Sequence, residues 1–405
     1  MKPRLLNSFP LEGTLTNWAR LEAEYPTLVA NLSVTPQDPH YHSEGDVWTH
    51  TKMVVNALTQ GAWYSELSED DRRTVWLGAL LHDIGKPATT VHEENGRISS
   101  KGHSLRGAQD ARIWLWNEGI PFVQREMVGR LIQCHQEPFY TMRKDDYSLR
   151  IRRMSHFLRT DLLGTMTKAD AEGRWCTPAD LRQDAIYGVE LFRLGCEDLG
   201  VWGHRAPFAD SYTWQKFLNS PETVDPVYPI RRPKQGSPVI VLSGLPGMGK
   251  NTWVEQHARS LPVVSYDDTR EALGVGHGEQ VGEVVHAVWN QAKGFLRRGE
   301  PFVWNATHIV PSLRKKALDL CWNYDAEVRL VYLETSTPQL WRKQNRQRAA
   351  SVPDSALDHL LYRWEPPSFL EAEHVEYWID GMNRTQDMEM GLGLTERVLA
   401  GPTLD

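Results

Sequence analysis

The sequence has few cysteines, and no two of them stand in a C-x-x-C arrangement. The four are Cys134, Cys176, Cys196 and Cys321. Their number and spacing exclude a disulfide framework and a thiolate zinc knuckle. No apolar run approaches the roughly 20 residues that cross a bilayer, and the opening MKPRLLNSFPLEG has neither a long apolar stretch nor a small-residue cleavage site. We therefore expect a cytoplasmic protein with no membrane partner.

Broad positive charge is also missing, because the formal net charge is -7. Proteins that coat nucleic acid draw on wide basic surfaces. That class is excluded, whereas a grip on one strand end by a few arginines is not. The chain has 405 residues, of which 40% are hydrophobic and 24% are charged. This composition indicates a globular protein that is long enough for two domains.

Two styles of sequence meet at the proline-rich stretch SPETVDPVYPIRRPKQGSP. Upstream, apolar residues recur at three- and four-residue spacing in VWTHTKMVVNAL and TVWLGALLHDIGK, which predicts helices and no strands. Downstream, the short apolar runs PVIVLSG, PVVSYDD, PFVWNAT and VRLVYLE alternate with amphipathic stretches, which predicts a parallel sheet with intervening helices. We predict an all-α domain over residues 1–225, a linker over 226–238 and an α/β domain over 239–405.

Histidines and aspartates from several predicted helices form a first candidate site. They are His50, His82, Asp83, His103, His135 and Asp170. Nitrogen and oxygen donors suit manganese, iron, nickel, cobalt or zinc, and one or two such ions lower the pKa of water enough to make a nucleophile at neutral pH. Lys86 lies one turn after Asp83, where it can neutralise phosphate oxygens. Alternatively, His82 and Asp83 only cap an apolar helix.

These residues resemble the H…HD…D pattern of the HD phosphohydrolase superfamily, and the resemblance covers most of residues 40–190. It implies a hydrolytic metal site in which Asp83 and Lys86 are catalytic. The additional His103 and His135 fit the two-metal branch of that superfamily, and packing is their alternative role.

Three polar residues precede the first histidine in YHSEGDVWTHTKMV. They are His42, Glu44 and Asp46. One interpretation is that they shape the entrance or donate a proton to the leaving group. The other is that they begin and cap the next helix.

A second candidate site follows the strand VIVL, in the glycine-rich turn SGLPGMGKNTW. Gly244, Gly247 and Gly249 let backbone N–H groups approach a phosphate closely, and Lys250 reaches the outer phosphates. This strand–turn–helix context predicts a P-loop that binds ATP or another nucleoside triphosphate with magnesium. The following residues, Asn251 and Thr252, are part of the predicted nucleotide site.

Charged residues that follow later strands complete this second site. Asp267 in VVSYDDTREALG is the candidate base for an attacking hydroxyl, and Arg270 is the candidate for holding a phosphate of the acceptor. Helix capping is the alternative role for Asp267. In LWRKQNRQRAASVP, Arg342 and Arg346 belong to a basic run that we interpret as a lid over the nucleotide. A solvated basic face is the ordinary alternative.

The motifs G-x-P-G-x-G-K and S-x-D-D-x-R, with the arginine-rich run, resemble the phage-type polynucleotide 5′-kinases. Together with the first site they resemble the bacterial fusions of an HD domain with a polynucleotide kinase, over nearly the full chain. Membership would imply an enzyme that heals RNA ends. Its kinase phosphorylates a 5′-hydroxyl, and its HD domain removes a 2′,3′-cyclic phosphate, a 2′-phosphate or a 3′-phosphate. The partners would be RNA ends, or alternatively DNA ends, and an RNA ligase that acts afterwards.

Two positions depart from the kinase pattern. Asn251 stands where the pattern has serine or threonine, and Asn305 stands in VWNATH at a strand end that is often acidic. Both changes weaken the expected magnesium environment. Thr252 does not simply replace the missing hydroxyl, because one step along a helix turns a side chain by about 100°.

Two other functions remain open from the sequence. One is a nucleotide phosphohydrolase that is regulated by its P-loop domain. The other is an ATP-responsive nucleic-acid-binding protein in which Asn251 marks a kinase that has lost its activity.

Overall fold

The computed structural model of the protein describes residues 3–10, 15–232, 236–276, 279–348 and 351–393. The chain divides into two compact units, the first running to Ala206 and the second beginning at Pro207. Part of the predicted linker (233–235), part of the arginine-rich run (349–350) and the end of the predicted α/β domain (394–405) lie outside the described residues. Within the described ranges, each helix is too short or too polar to cross a membrane.

The first unit consists of helices with one short hairpin. Its helices are α1 (Trp18–Glu24), α2 (Pro26–Ser33), α3 (Val47–Gln60), α4 (Ala62–Ser65), α5 (Glu69–Leu81), α6 (Lys86–Thr89), α7 (His103–Asn117), α8 (Phe122–Cys134), α9 (Glu137–Tyr140), α10 (Tyr147–Ser155), α11 (Thr160–Glu172) and α12 (Asp180–Asp198), with 3₁₀ turns at Arg4–Asn7 and Thr141–Arg143. This confirms the predicted helical class.

Helix α5 forms the centre of this unit. Ser68 caps it by accepting a hydrogen bond from the Asp71 N–H, and acidic residues fill its first turn, where the helix dipole favours them. From Thr74 to Leu81 every side chain is buried, so the helix is enclosed on all sides. It packs against α3, α8 and α11. The end of α5 therefore brings His82 and Asp83 to the middle of the helical unit.

The prediction that this unit has no strands was wrong in one place. Residues 91–92 form β1 (Val91–His92) and residues 98–99 form β2 (Ile98–Ser99), paired antiparallel. Gly96, with φ 80°, adopts the left-handed conformation that the tight turn between them needs. Two-residue strands are too short to give an alternating pattern, which is why periodicity does not reveal them.

The second unit is an α/β domain. Its helices are α13 (Ser211–Asn219), α14 (Lys250–His257), α15 (Tyr266–Leu273), α16 (Val281–Arg298), α17 (Pro311–Trp322), α18 (Pro338–Arg346), α19 (Asp354–Leu361) and α20 (Thr385–Gly391). Its strands are β3 (Pro238–Ser243), β4 (Val263–Ser265), β5 (Phe302–Asn305), β6 (Glu327–Glu334), β7 (His374–Ile379) and β8 (Met382–Asn383).

The strands form a sheet in the order β4-β5-β3-β6-β7-β8, parallel except for β8. The four strands predicted from apolar runs are β3 to β6, and this confirms the predicted fold class. Strand β3 lies inside the sheet between β5 and β6. In open parallel sheets ligands bind beyond the carboxyl ends of the strands, and the glycine-rich turn leaves β3 at that end.

The predicted domain limits, 1–225 and 239–405 with a linker between them, remain predictions. The observed division falls at residues 206 and 207, so helix α13 groups with the α/β unit. Asp210 caps that helix by accepting from the Thr213 N–H at 2.8 Å.

Candidate functional site

Four buried histidines point one ring nitrogen each into the centre of the helical unit. In each of them the other nitrogen, Nδ1, lies against a fixed oxygen. The pairs are His82 with the Ala79 carbonyl (2.8 Å), His103 with the Ser100 carbonyl (2.8 Å), His135 with the Ile132 carbonyl (2.7 Å) and His50 with the Glu44 carboxylate (2.8 Å). Such partners fix the orientation of the ring and leave Nε2 as the nitrogen that can bind a metal ion.

The free nitrogens and two carboxylates form two adjoining clusters that could hold a metal ion. One consists of His50, His82 and Asp170, and the other of Asp83, His103 and His135. In the first, His50 Nε2 lies 3.1 Å from Asp170 Oδ1 and 3.3 Å from His82 Nε2. In the second, His103 Nε2 lies 3.3 Å from His135 Nε2. The structure thus brings together all six residues that the sequence analysis selected as ligands.

Asp83 lies between the two clusters. Its Oδ2 is 3.2 Å from His82 Nε2, and its Oδ1 is 3.4 Å from His103 Nε2. Both oxygens are buried, and the Lys86 ammonium lies beside one of them, Oδ2, at 2.6 Å. A buried carboxylate is costly unless cations compensate it. With its imidazole neighbours, Asp83 therefore suits a site that would hold divalent ions, one at each cluster.

The protonation states of most of these groups suit a metal site. His82 is the exception because, although burial opposes this, the charge of Asp83 raises its pKa, so His82 would release a proton when a metal binds. Burial and the nearby His82 lower the pKa of His135 to about 3, and burial lowers the pKa of His103. Although burial opposes it, the charges of His82 and Lys86 hold the pKa of Asp83 well below its usual range. Neutral imidazoles and ionised carboxylates are the forms that bind metals. When bound, such ions would lower the pKa of water and polarise a phosphoryl oxygen.

Lys86 lies in this centre as the partner of Asp83. Its Nζ is 2.6 Å from Asp83 Oδ2 and donates to Gln37 Oε1 at 2.6 Å. The side chain is nearly buried, with 10% of its surface exposed. The structure thus places the predicted phosphate-neutralising lysine beside the shared carboxylate.

Two charged residues support the ligands, and the sequence analysis did not assign them these positions. Glu44 is buried and accepts a hydrogen bond from the Trp175 N–H at 3.0 Å, with its other oxygen facing His50. Arg174 lies one helical turn after Asp170 and pairs with it at 2.7 Å. An i,i+4 pair of opposite charges is a signal that could have identified Arg174. Asp46, in contrast, caps α3 by accepting from the Thr49 N–H at 2.8 Å.

Two exposed aromatic side chains flank the segment that carries Glu44. Trp175 is 61% exposed and Tyr41 is 45% exposed. A backbone hydrogen bond joins the two segments that carry them, since the Ser43 N–H donates to the Trp175 carbonyl at 2.9 Å. Arg97 lies over the Tyr41 ring at 5.6 Å. Exposed rings beside an arginine are a surface on which nucleobases stack.

The glycine-rich turn of the second unit has the shape of a phosphate-binding loop. Gly249, with φ 85°, precedes α14, and a Cβ on Gly244 would lie 2.5 Å from the Leu333 carbonyl oxygen. Gly247 lies against α18. Lys250 Nζ donates to the Gly244 carbonyl at 2.7 Å and to the Leu245 carbonyl at 3.0 Å. The ammonium group is therefore held within the turn where phosphates bind.

The candidate base lies near this lysine. Ser265 ends β4 and caps α15 by accepting from the Asp267 N–H at 3.2 Å, so the capping alternative for Asp267 does not apply. Asp267 Oδ1 accepts from Arg270 Nη1 at 2.7 Å. The negative charge of Asp267 also acts on the pKa of Lys250. The structure thus brings the predicted base, its arginine and the loop lysine together.

The predicted lid helix, α18, is bound to the loop. Trp341 donates from Nε1 to the Pro246 carbonyl at 2.7 Å. The two arginines that the sequence analysis selected form ion pairs on the outer side, Arg342 with Asp358 at 2.6 Å and Arg346 with Asp354 at 3.2 Å. A different arginine of the same run, Arg348, lies close enough to act on the pKa of Lys250.

The two unusual asparagines contact each other. Asn305 Nδ2 donates to Asn251 Oδ1 at 2.8 Å. Thr252, the next residue, is exposed. The two departures from the kinase pattern are therefore one structural feature.

Comparison with known families agrees with this architecture. The HD domain family matches residues 47–167, and an AAA domain family matches residues 239–367. The chain therefore combines an HD phosphohydrolase domain with a P-loop, kinase-like domain. This confirms the predicted pairing of the two domain types.

Individual relatives match only parts of the chain. A multifunctional CCA protein from Pasteurella multocida (strain Pm70) is 34% identical over 76 residues, which are 19% of this chain and 17% of that protein. A proposed kinase from Chloroflexus aurantiacus is 16% identical, with a TM-score of 0.32, over 39% of this chain and 93% of its own. A gluconokinase from Sinorhizobium meliloti 1021 is 16% identical, with a TM-score of 0.28, over 40% of this chain and 94% of its own.

Proposed function

We propose that this protein heals broken RNA ends with two separate activities. The HD domain hydrolyses a 2′,3′-cyclic phosphate, a 2′-phosphate or a 3′-phosphate. The P-loop domain transfers the γ-phosphate of ATP or another nucleoside triphosphate to a 5′-hydroxyl end. The observation that carries the proposal is the joining, in one chain, of two adjoining clusters that could each hold a metal ion with a glycine-rich phosphate-binding loop that holds Lys250.

The HD site suits hydrolysis of phosphate esters. Opening a cyclic phosphate adds one water across a P–O bond, and hydrolysis of the resulting monoester releases inorganic phosphate. Lys86 and Arg174 place positive charge beside Asp83 and Asp170, so the site holds its anionic ligands without repelling an anionic substrate. Asp83 belongs to one cluster and lies 3.2 Å from His82 of the other.

The P-loop site suits transfer to a hydroxyl. Lys250 lies in the turn that would surround the β- and γ-phosphates, and Asp267 is exposed at the start of α15, where it can accept a proton from the acceptor. Arg270, paired with Asp267, is available to a phosphate of the acceptor strand. Removal of Lys250 is therefore expected to abolish transfer and leave the HD activity intact.

A polynucleotide substrate is favoured by the aromatic surface at the HD site. Trp175 and Tyr41 are exposed next to the segment that holds His50 through Glu44. The two rings lie on backbone segments that are joined by a hydrogen bond, and neighbouring exposed rings are suited to stacking on unpaired bases.

Paired substrates and variants test the proposal. Hydrolysis of an oligoribonucleotide ending in a 2′,3′-cyclic phosphate is compared with that of a free cyclic mononucleotide, and ATP-dependent phosphorylation is followed on a 5′-hydroxyl oligonucleotide. We expect preference for the polynucleotide, loss of hydrolysis alone in Asp83→Asn and loss of phosphorylation alone in Lys250→Met. Equal use of the free nucleotide, or no change at the 5′ end, would refute the proposal.

One observation favours a second candidate, a nucleic-acid-binding hydrolase whose P-loop domain binds ATP without transferring phosphate. Asn251 and Asn305 contact each other where a kinase has a hydroxyl and a carboxylate. Tight ATP binding by a protein that never phosphorylates a 5′-hydroxyl would select this candidate.

A further inference from the structure

The side chains of Asn251 and Asn305 contact each other beside the phosphate-binding loop, at the carboxyl end of the sheet. Asn251 is the second residue of α14, directly after the loop lysine. Asn305 is the last residue of β5, which pairs in parallel with β3, the strand that leads into the loop. Their amides meet at 2.8 Å, with Asn305 as donor. One residue therefore follows the loop that leaves β3, and the other ends the neighbouring strand β5.

In P-loop enzymes these are the positions that hold magnesium. The hydroxyl after the loop lysine and a carboxylate at the end of the neighbouring strand bind the ion, which bridges the β- and γ-phosphates. Magnesium is a hard cation that prefers carboxylate oxygens and water in a strict octahedral arrangement. Here both residues are uncharged amides. The positive N–H end of Asn305 also lies where a carboxylate would stand.

Asp267 does not stand at either of these two positions. It follows β4 rather than β5, pairs with Arg270 through Oδ1 at 2.7 Å and is the candidate base for the acceptor hydroxyl. The donor set of this loop therefore does not fit a directly held magnesium ion.

Positive side chains are present instead. Lys250 is held inside the turn by two carbonyl oxygens. Arg348 lies near it, and its Nη1 is buried without a hydrogen-bond partner among the described residues. A buried guanidinium nitrogen with no acceptor is costly unless an anion fills the site. One side-chain cation thus lies within the turn, and a second, with a buried nitrogen that lacks an acceptor among the described residues, lies within electrostatic range of it.

We propose that the Asn251–Asn305 amide pair replaces the magnesium ligands of this P-loop, and that Lys250 and Arg348 supply the charge that magnesium supplies in other P-loop enzymes. Nucleoside triphosphate then binds mainly as the free anion, with little help from the ion. The proposal requires only that the loop binds nucleotide. It is therefore independent of whether the acceptor is RNA.

Calorimetric titration of the full-length protein with ATP tests the proposal, once with excess magnesium chloride and once with EDTA. For the parent protein we expect the two dissociation constants to differ by less than about threefold, because the ion contributes little coupling energy. The variant N251S/N305D restores a hydroxyl and a carboxylate. In this variant we expect magnesium to tighten ATP binding at least about tenfold.

Three comparisons make the result specific. N290D introduces the same change at an exposed position on α16, and it is expected to keep the parent's ratio of dissociation constants. We expect the gains in magnesium dependence of the single variants N251S and N305D to add up to less than the gain of the double variant, since the two residues act as a pair. Arg348→Gln is expected to weaken ATP binding in EDTA at least about tenfold.

Several results would overturn the proposal. They are a parent protein that binds ATP at least about tenfold more tightly with magnesium, a double variant with the parent's ratio, and an Arg348→Gln variant with unchanged affinity in EDTA. Circular dichroism establishes that each variant is folded. If the double variant does not fold, N305D alone carries the test, and an unchanged magnesium dependence in it counts against the proposal.

Discussion

Replacing Glu44 by glutamine should weaken one of the two metal clusters and spare the other. The Glu44 side chain is fully buried, with Oε1 at 2.8 Å from His50 Nδ1 and 3.0 Å from His42 Nδ1. Glutamine keeps the size of this side chain but removes its charge. It also places an N–H₂ group against a ring nitrogen or against the Trp175 N–H, so His50 loses the charged carboxylate that orients it, and one contact of the side chain becomes unfavourable.

The expected loss of metal affinity follows from what such partners contribute in metal sites. Loss of such an outer partner typically lowers metal affinity by about 10- to 100-fold, which corresponds to roughly 1.4–2.7 kcal/mol. Of the two clusters in the centre of the helical unit, the one with His82 and Asp170 contains His50 and the other does not. The cluster with Asp83, His103 and His135 has its ring nitrogens held by backbone carbonyls, which the substitution leaves unchanged.

Equilibrium dialysis against manganese at graded concentrations measures the effect. We expect the parent protein to bind two equivalents, and Glu44→Gln to bind one with parental affinity and the second about 10- to 100-fold more weakly. Glu93→Gln is the matched control, because Glu93 pairs with Lys101 on the hairpin, outside both clusters. Parental binding of both equivalents by Glu44→Gln, or equal weakening of both, would refute the assignment of Glu44 to His50.

Three further predictions follow from other contacts. Burial and the nearby Arg348 lower the pKa of Lys250 to about 7. Because bound phosphate favours the protonated amine, the ATP affinity measured by calorimetry should fall by up to about tenfold per pH unit above about 7, and an affinity that does not change with pH would contradict this. Arg314 is fully buried and binds Glu371 with two hydrogen bonds of 2.7 and 3.0 Å. Arg314→Met should lower the free energy of unfolding of the ATP-binding unit in urea by about 3–5 kcal/mol, and a loss below about 1 kcal/mol would contradict the importance of this ion pair. Trp175→Ala should raise KM for the cyclic-phosphate RNA about tenfold with little change in kcat. Tyr187→Ala, which removes an exposed aromatic ring on α12, is the control and should leave KM unchanged, and equal KM values for the two variants would exclude stacking on Trp175.

The clustering of the candidate metal ligands could be expected from the sequence because they lie at helix ends and on helix faces with clear apolar periodicity. His82 and Asp83 directly follow the run TVWLGALL at the end of α5, and a run that is apolar on all sides of a helix lies in the core. The P-loop was predictable for a similar reason, since its glycines and Lys250 stand between a buried strand and a helix. Local pattern and chemistry agree at both places.

Contacts between distant elements could not be predicted in this way. Gln37 bonds Lys86 across 49 positions, and Asn305 bonds Asn251 across 54. Nothing in the local pattern around any of these residues specifies its partner. The roles of Arg342 and Arg346 in the lid stay predictions. Arg348 was not distinguished from its neighbours because a basic run does not reveal which side chain faces inward.

Strands β7 and β8 were also missed. The segment HVEYWI alternates buried and partly exposed residues rather than forming a continuous apolar run like VIVL. Its place beyond β6, with only the two-residue β8 after it, explains that pattern, because strands near a sheet edge are buried less completely.

One measurement tests the central claim most directly, namely that a single chain acts on both ends of a broken RNA strand. An oligoribonucleotide with a 5′-hydroxyl and a 2′,3′-cyclic phosphate is incubated with the full-length protein, ATP, manganese and magnesium, and its ends are identified by mass spectrometry. We predict a product that has gained a 5′-phosphate and has lost its cyclic phosphate. Recovery of the RNA with both original ends would contradict the account.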